Sequence, residues 1–530
     1  MNEQKRLLLN GNEAVARAAF DAKVDLGTGY PGTPSTEILE TLSGLGGTAR
    51  WAPNEKVALE VALGAAFGNG AALATMKHVG LNVAADPLFT AAETGVTGAL
   101  VVVVADDPGM ASSQNEQDSR RYAVAAGVPM LEPSDSQEAY DYFIEALKIS
   151  HCWDTPVLLR LSTRISHSKT IVTPRTVEFS LGKPFFEHNR SARVMVPANA
   201  RPAHRRMRDR LARIAQWNEG SALNRETGDS AELGIISSGV SAMHAFEAAP
   251  RARHLKLAVT YPLPLDKIRA FAGSVKRCVV IEENDPVLVD ACRAAGIVVE
   301  GKDEMYRFGE LNVGRVRRIL DGDTSPEPVP PRGKPPRLCP GCPHRTAFEV
   351  LGKHDCIVSG DIGCYTLGVL PPFEAMDTCV CMGAAVGVGL GLRHVLPPDQ
   401  AKRVVSVIGD STFVHSGITG LVEMIYNPPP TGHVLMILDN STTAMTGLQE
   451  HPGTGRTLDH QPTGQVVFEE LARALGIKRV HVLNPREGGE VIEQCLVECL
   501  QSEELCVIIV RSPCILAVKM LKRLESAGGD

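Results

Sequence analysis

Aromatic side chains make up only 5% of the 530 residues, with three tryptophans. A core with so few bulky rings must pack small residues closely. The 49 glycines and the abundant alanines suit helices laid tightly on sheets. No uninterrupted apolar run reaches membrane-spanning length, so membrane insertion is not expected. The opening segment, Met1 to Arg6, runs into only three leucines, too few for a secretory signal, and a cytoplasmic location follows by default. Positive charge is not in excess either. The net charge of -7 argues against nucleic acid or an anionic membrane as partner. Thirteen cysteines are present, and in a cytosolic chain they read as ligands or core residues rather than disulfides.

The length implies about three domains. From residue 9 to about 165, helical and strand-like segments alternate: Glu55 to Phe67 as an Ala-rich helix, Ala71 to Met76 as a strand, Gly98 to Ala105 as a strand buried on both faces, Asp135 to Ser150 as a helix, and Pro156 to Leu161 as another strand. That alternation means a doubly wound parallel sheet. Arg201 to Arg213 is dense in basic residues and Asn218 to Ser230 is polar, which predicts a solvated basic arm over 176–230. Strands at Leu233 to Ile236, Leu257 to Tyr261 and Arg277 to Glu282 predict a second, smaller sheet domain over 231–324. The Pro-rich run 325–336 reads as an extended spacer before a third α/β domain, 337–530.

That last domain carries the chemistry. Gly409-Asp410-Ser411 closes the strand-like run Val404 to Ile408, and Asp439-Asn440-Ser441-Thr442 closes the run Val434 to Leu438. Phe413 to Tyr426 reads as the helix between them. A right-handed crossover of this kind brings Asp410 and Asn440 to the carboxyl ends of parallel strands, where open α/β sheets bind ligands. A carboxylate and an amide oxygen suit Mg²⁺, whose remaining ligands come readily from phosphates. The pattern is similar to the thiamine diphosphate fingerprint G-D-G…N-N, with departures at Ser411 and Asp439. Ordinary strand-end turns are the plainer alternative.

Cys339-Pro340-Gly341-Cys342 opens the same domain. Cys364 and Cys514 each follow a strand-like run (Cys356 to Ser359, Val507 to Val510), at the edge that carries Asp410 and Asn440. Four thiolates there suit a [4Fe–4S] cluster, while a closed zinc site and unliganded thiols stay open. Cys379 and Cys381 are substitutes, though Cys381 to Ala385 reads better as a helix start. The other cysteines read as core filling. Glu55 opens the first domain's Ala-rich helix, where a carboxylate favours the helix dipole. A thiamine enzyme needs such a carboxylate on the aminopyrimidine ring, to promote the tautomer that removes the C2 proton.

With Tyr30-Pro31-Gly32-Thr33-Pro34-Ser35, Asn54-Glu55-Lys56, Met76 to Asn82, Cys339 to Arg345, Gly363-Cys364 and Gly409-Asp410-Ser411, the chain resembles the large subunits of indolepyruvate:ferredoxin oxidoreductases, within the 2-oxoacid:ferredoxin oxidoreductases, over essentially its whole length. The resemblance implies three doubly wound α/β domains. Two are of thiamine-diphosphate-binding type, pyrimidine (1–175) and diphosphate (337–530), and one (231–324) resembles the transketolase C-terminal domain. It implies that Glu55 activates the cofactor, that Gly409, Asp410, Ser411, Asn440 and Thr442 hold the diphosphate end, with Asp410, Asn440 and the Thr442 carbonyl on Mg²⁺, and that Cys339, Cys342, Cys364 and Cys514 carry the proximal [4Fe–4S] cluster. Thr33, His78 and His451 would face the substrate, a satisfied polar core role being the alternative for each.

The implied reaction is oxidative decarboxylation of an aryl 2-oxoacid with coenzyme A to acyl-CoA and CO₂. The alternatives are a non-oxidative thiamine-dependent decarboxylase and a non-catalytic scaffold subunit. The implied assembly is a hetero-oligomer of paired large subunits with the small catalytic (beta) subunit. Large subunits of the family usually continue into a ferredoxin-like domain, and no second cysteine-rich segment follows Cys514. The expectation is therefore a separate ferredoxin-like subunit or other carrier for the electrons.

Overall fold

Four successive valines make the strand Ala99–Asp106 a natural centre for a sheet covered on both sides, and every one of its residues is buried. The computed structural model describes residues 6–328 and 334–520. It falls into two units, Met1–Pro328 and Val329–Asp530.

In the first unit a seven-stranded sheet runs, in spatial order, Val259–Tyr261, Met130–Leu131, Val157–Ser162, Ala99–Asp106, Ala71–Lys77, Leu26–Gly29, Ala49–Trp51. All neighbours are parallel except Val259–Tyr261. The chain goes outward from Leu26–Gly29 to Ala49–Trp51, then returns to the other side at Ala71–Lys77. The order reverses between the carboxyl ends of Leu26–Gly29 and Ala71–Lys77, the place where such sheets form a ligand crevice. Alternate strand residues (Ala72, Ala74, Met76, Leu100, Val102, Val104) pack under Leu59, Ala62, Leu81 and Leu88. This is the close, alanine-rich packing that the composition predicts.

A four-stranded sheet in the same unit has the order Arg277–Ile281, Leu233–Ser238, Arg253–Leu257, Arg225–Thr227, the last strand antiparallel. The expected single strand Leu257 to Tyr261 is corrected here. Its first residue ends a strand of this sheet, whereas Val259–Tyr261 joins the seven-stranded one. A buried polar network also ties the two sheets. Arg160 donates to Asp106 (2.7 Å), Glu132 (2.8 Å) and Asn284 (2.9 Å), and Arg120 bridges Asp118 and Glu282.

The basic segment departs further from expectation. Pro197–Glu219 is one helix whose Ala203, Met207, Leu211, Ile214 and Asn218 are buried, a stripe at three- and four-residue spacing. Met207 and Leu211 join the core of the seven-stranded sheet. The arginines beside the stripe are engaged as well. Arg210 donates to the Asp154 carbonyl (3.0 Å), and Arg213 lies 5.0 Å from the Trp153 ring centroid. A solvated arm is therefore not what this helix forms. Charge density masked a narrow apolar stripe.

The second unit holds a fully parallel six-stranded sheet, Thr378–Cys379, Ile357–Gly360, Val404–Gly409, His433–Asp439, Leu505–Arg511, Arg479–Leu483. Val405, Val407, Met436, Leu438, Ile508 and Val510 pack one face against Phe348, Leu351, Ile492 and Leu496. Ile408, Leu435, Ile437, Val507 and Ile509 pack the other against Val386, Leu390, Leu421 and Phe468. Here the order reverses between Ile357–Gly360 and Val404–Gly409, so Asp361 and Asp410 flank the crevice. Residues 329–333 of the Pro-rich run lie outside the described residues. So do 521–526 of the terminal helix expected over Ile515 to Ser526, which is helical from Ile515 to Met520.

Candidate active site

At the crevice of the first unit, Glu55 is the first residue of the helix Glu55–Phe67, whose preceding Asn54 accepts from the Val57 amide and fixes the start. Glu55 is 4% exposed. Its carboxylate lies over Gly80: a Cβ on that glycine would stand 2.6 Å from Glu55 Oε1. Only hydrogen at position 80 leaves the carboxylate its place. Lys77, at the end of its strand, donates to the Ser112 carbonyl at 2.9 Å. Burial lowers its pKa, against the charges of Asp107 and Glu55. Asp107, ending the neighbouring strand, accepts from the Ser112 amide (2.8 Å), Ser113 Oγ (2.6 Å) and Thr163 Oγ1 (2.9 Å). These bonds hold its pKa down despite burial. Thr33 is half-buried in the loop after Leu26–Gly29, and its carbonyl accepts from Ser112 Oγ at 3.5 Å. His78 is fully buried with Nε2 3.1 Å from the Asn115 carbonyl, and burial lowers its pKa. Its Nδ1 is buried and has no hydrogen-bond partner among the described residues.

In the second unit Asp410 is buried and begins a helical segment that runs to Tyr426 through a π-turn, Phe413–Gly417. The expected uniform helix from Phe413 thus carries a bulge, a feature frequent at functional sites. Asp410 Oδ1 accepts from the Ser411 amide (2.9 Å), and Oδ2 from the Thr442 amide (3.3 Å) and His451 Nε2 (3.2 Å). Against the cost of burial, these partners hold its pKa below the usual carboxylate range. The Gly453 amide donates to His451 Nδ1 at 3.1 Å, so the imidazole proton sits on Nε2 and points at Asp410. His451 is therefore hydrogen-bonded to Asp410.

Asn440 shows how the amide is oriented. Its Nδ2 lies 3.0 Å from His344 Nε2, and its Oδ1 accepts from the Thr442 amide at 3.1 Å. Burial pushes the His344 pKa down to about 4, so the ring is neutral and can accept. A neutral acceptor holds the NH₂ end, which aims the carbonyl oxygen the other way. His344 was missed as a site residue in the sequence, although it stands two places after Cys342. Asp361 was missed also. Its carboxylate accepts from the Gly383 (3.0 Å) and Ala385 (2.9 Å) amides at the start of the next helix, and burial raises its pKa to about 6.

The four cysteines gather beside this crevice. Burial raises the Cys364 thiol to about 12, and the charges of Cys342, Cys514 and Cys339 add to the effect. Cys342 is raised by burial too, with Cys339 and Cys514 contributing. The four cysteines, from three separate loops, thus interact electrostatically. The Cys514 amide donates to the Asn440 carbonyl at 2.9 Å, joining the thiol loop to the amide loop. Cys379 and Cys381 are exposed.

The donor set at the second crevice fits a divalent cation with a diphosphate: a carboxylate, an oriented amide oxygen, a Thr442 carbonyl and the amides of a helix start, all oxygens or N–H groups. The pyruvate flavodoxin/ferredoxin oxidoreductase thiamine-diphosphate-binding family matches residues 17–222, and the thiamine pyrophosphate enzyme C-terminal domain matches 361–510. Fold and crevices thus define a thiamine diphosphate-dependent oxidoreductase of the 2-oxoacid class. The indolepyruvate oxidoreductase subunit IorA of Archaeoglobus fulgidus is 39% identical over 99% of this chain and 89% of its own length. The subunit IorA of Methanothermobacter thermautotrophicus is 38% identical over 97% and 88%. The chain belongs to this indolepyruvate oxidoreductase IorA family. A solved 2-oxoglutarate:ferredoxin oxidoreductase from Magnetococcus marinus shares the fold at a TM-score of 0.52 and 16% identity, over 61% of this chain and 66% of that one. Among the described residues no helix is long and apolar enough to cross a membrane.

Proposed function

We propose that the chain is the large catalytic subunit of an enzyme that oxidatively decarboxylates an aryl 2-oxoacid of the indolepyruvate or phenylpyruvate type. Coenzyme A takes the acyl group, CO₂ leaves, and two electrons pass through a [4Fe–4S] cluster to a ferredoxin-like or other carrier. The partner is a small beta subunit, in a hetero-oligomer with paired large subunits. The three larger sheets correspond to a pyrimidine-type domain, a transketolase-C-terminal-like domain and a diphosphate-type domain, each doubly wound. Bound thiamine diphosphate supplies a carbon nucleophile and an electron sink at the 2-oxo carbon. Glu55 holds and returns a proton at the aminopyrimidine end. Asp410, Asn440 and the Thr442 carbonyl hold Mg²⁺, with Gly409 and Ser411 lining the diphosphate. His451 and His344 orient Asp410 and Asn440, and Thr33 stands at the substrate edge of the first crevice. Cys339, Cys342, Cys364 and Cys514 carry the cluster.

The observation that supports this reading is the Cys514–Asn440 backbone hydrogen bond, which joins the loop of Cys514 to that of Asn440. The test is iron and acid-labile sulfide in anaerobically purified protein, compared with Cys514→Ala. About four of each per chain, lost in the variant, is the expected result for one such cluster. Protein without iron that still decarboxylates the 2-oxoacid would instead establish the non-oxidative lyase.

A further inference from the structure

Nine of the 13 cysteines lie outside this chemistry, and three of them are not scattered through the core. Cys495 and Cys499 stand four residues apart on the helix Gly489–Gln501, hence on one face of it. That face packs on the strands Arg479–Leu483 and Leu505–Arg511. His481 comes from the first strand, and its ligand atom and the two Sγ atoms all lie within 4.8 Å of one another. Cys506 comes from the second strand, and its thiol hydrogen-bonds that of Cys499. Cys495, Cys499 and Cys506 are all buried, whereas His481 is half-buried. His481 Nε2 is buried and lacks a hydrogen-bond partner among the described residues. An imidazole nitrogen left without a partner beside two thiols, one of them in contact with a third, has a cost unless something completes it.

We propose that His481, Cys495, Cys499 and Cys506 form a structural zinc site that ties the helix Gly489–Gln501 to the last two strands of the sheet. One imidazole and three thiolates from three elements are the donor types of a closed tetrahedral site, and their burial leaves no open position for a substrate. Arg479 faces Cys499 and Cys506 and favours their thiolates; it is itself paired with Glu504. Glu498 faces Cys495 with the opposite sign, and Ser502 Oγ lies 3.5 Å from Cys506 Sγ. The site is distinct from the cluster cysteines. Cys506 lies near the start of its strand, five residues before Arg511, which is roughly 16 Å from the edge that carries Cys514.

The test is zinc content, measured with iron, in anaerobically purified full-length protein grown with zinc and iron. Wild type and Cys514→Ala should each carry about one zinc per chain. Cys499→Ala and His481→Ala should lose it while keeping their iron. Zinc-free wild type overturns the proposal, and so does zinc that persists in both Cys499→Ala and His481→Ala or leaves with Cys514→Ala. Should the helix variants fail to fold, cobalt is added to Cys514→Ala protein depleted of zinc by a chelator. Strong thiolate-to-cobalt absorption with tetrahedral visible bands supports the site, and weak octahedral bands overturn it.

Discussion

Adding one methyl group at Gly80 tests the placement of Glu55 without touching the carboxylate itself. The new Cβ would stand 2.6 Å from Glu55 Cγ and Oε1 and 2.9 Å from Cδ. Carbon and oxygen cannot approach so closely, and the flexible side chain yields first. A displacement of roughly 1 Å at a proton-transferring group costs on the order of 10²-fold in rate. Stability should hold, because alanine in place of glycine inside the helix His78–Val83 gains up to about 1 kcal/mol of helix propensity to set against the contact. The assay is anaerobic dye reduction by the assembled enzyme with an arylpyruvate and coenzyme A. Gly80→Ala should lose roughly 10²-fold in kcat/KM, and Glu55→Gln should lose 10² to 10⁴-fold, roughly the range for a general acid–base group. In the double variant the losses should not multiply, since the methyl acts only through the carboxylate. Full activity in Gly80→Ala, or losses that multiply, would refute the reasoning.

Other substitutions probe the scaffold beneath the crevices. Leu211→Ala, in the basic helix, should cost about 2–3 kcal/mol by denaturant unfolding, because Leu211 belongs to the core of the seven-stranded sheet; no change would restore the solvated arm. Arg160→Met strands Asp106 and Glu132 without their buried partner and should cost about 3–5 kcal/mol; an unchanged urea midpoint would show the network to be dispensable. Burial lifts the Glu283 pKa to about 7 from 4.5, with Arg160 opposing. The folded state therefore binds the extra proton, and this group's support for folding is lost as pH rises from 4.5 through 7, by about 3 kcal/mol. Glu283→Gln should flatten the stability profile in that window, and an unaltered slope would contradict it.

What the sequence made legible is what repeats at short range. Strand runs ending in Asp410 and Asn440, with one helix between, are enough to fix a parallel pair and its carboxyl edge. The helix that opens at Glu55 announces itself by its alanines. What stayed hidden depends on contacts far apart in the chain. His344 meets Asn440 across 96 residues, and nothing local marks an imidazole as the partner of an amide. Val259–Tyr261 leaves its neighbours for another sheet because it pairs with Met130–Leu131, a choice set by tertiary fit. In the basic helix, arginines outnumber the stripe of Ala203, Met207, Leu211 and Ile214, so composition concealed periodicity. The cysteines around His481 looked like core filling for the same reason. Each lies in an apolar element, and only the packing of that helix on two strands makes them neighbours.

The departure of Asp439 from the amide usual at its position has a physical account in the ion pair that it makes. Arg511 Nε donates to Asp439 Oδ2 at 2.6 Å, and the same guanidinium meets both oxygens of Glu469. Burial and the nearby Asp410 charge raise the Asp439 pKa, so without a cation beside it the residue would be a liability. Arg511 supplies that cation from the end of the last strand, three residues before Cys514. The Ser512 amide then donates to the Asp439 carbonyl, and the Cys514 amide to the Asn440 carbonyl, each at 2.9 Å. The charge pair and the two backbone bonds hold the loops in one register. An asparagine at 439 could accept from Arg511 but would bring no opposing charge. The substitution therefore strengthens the join between the loop that presents Asn440 and the loop that presents Cys514. A departure that weakens the motif on paper fastens the Asn440 loop to the Cys514 loop.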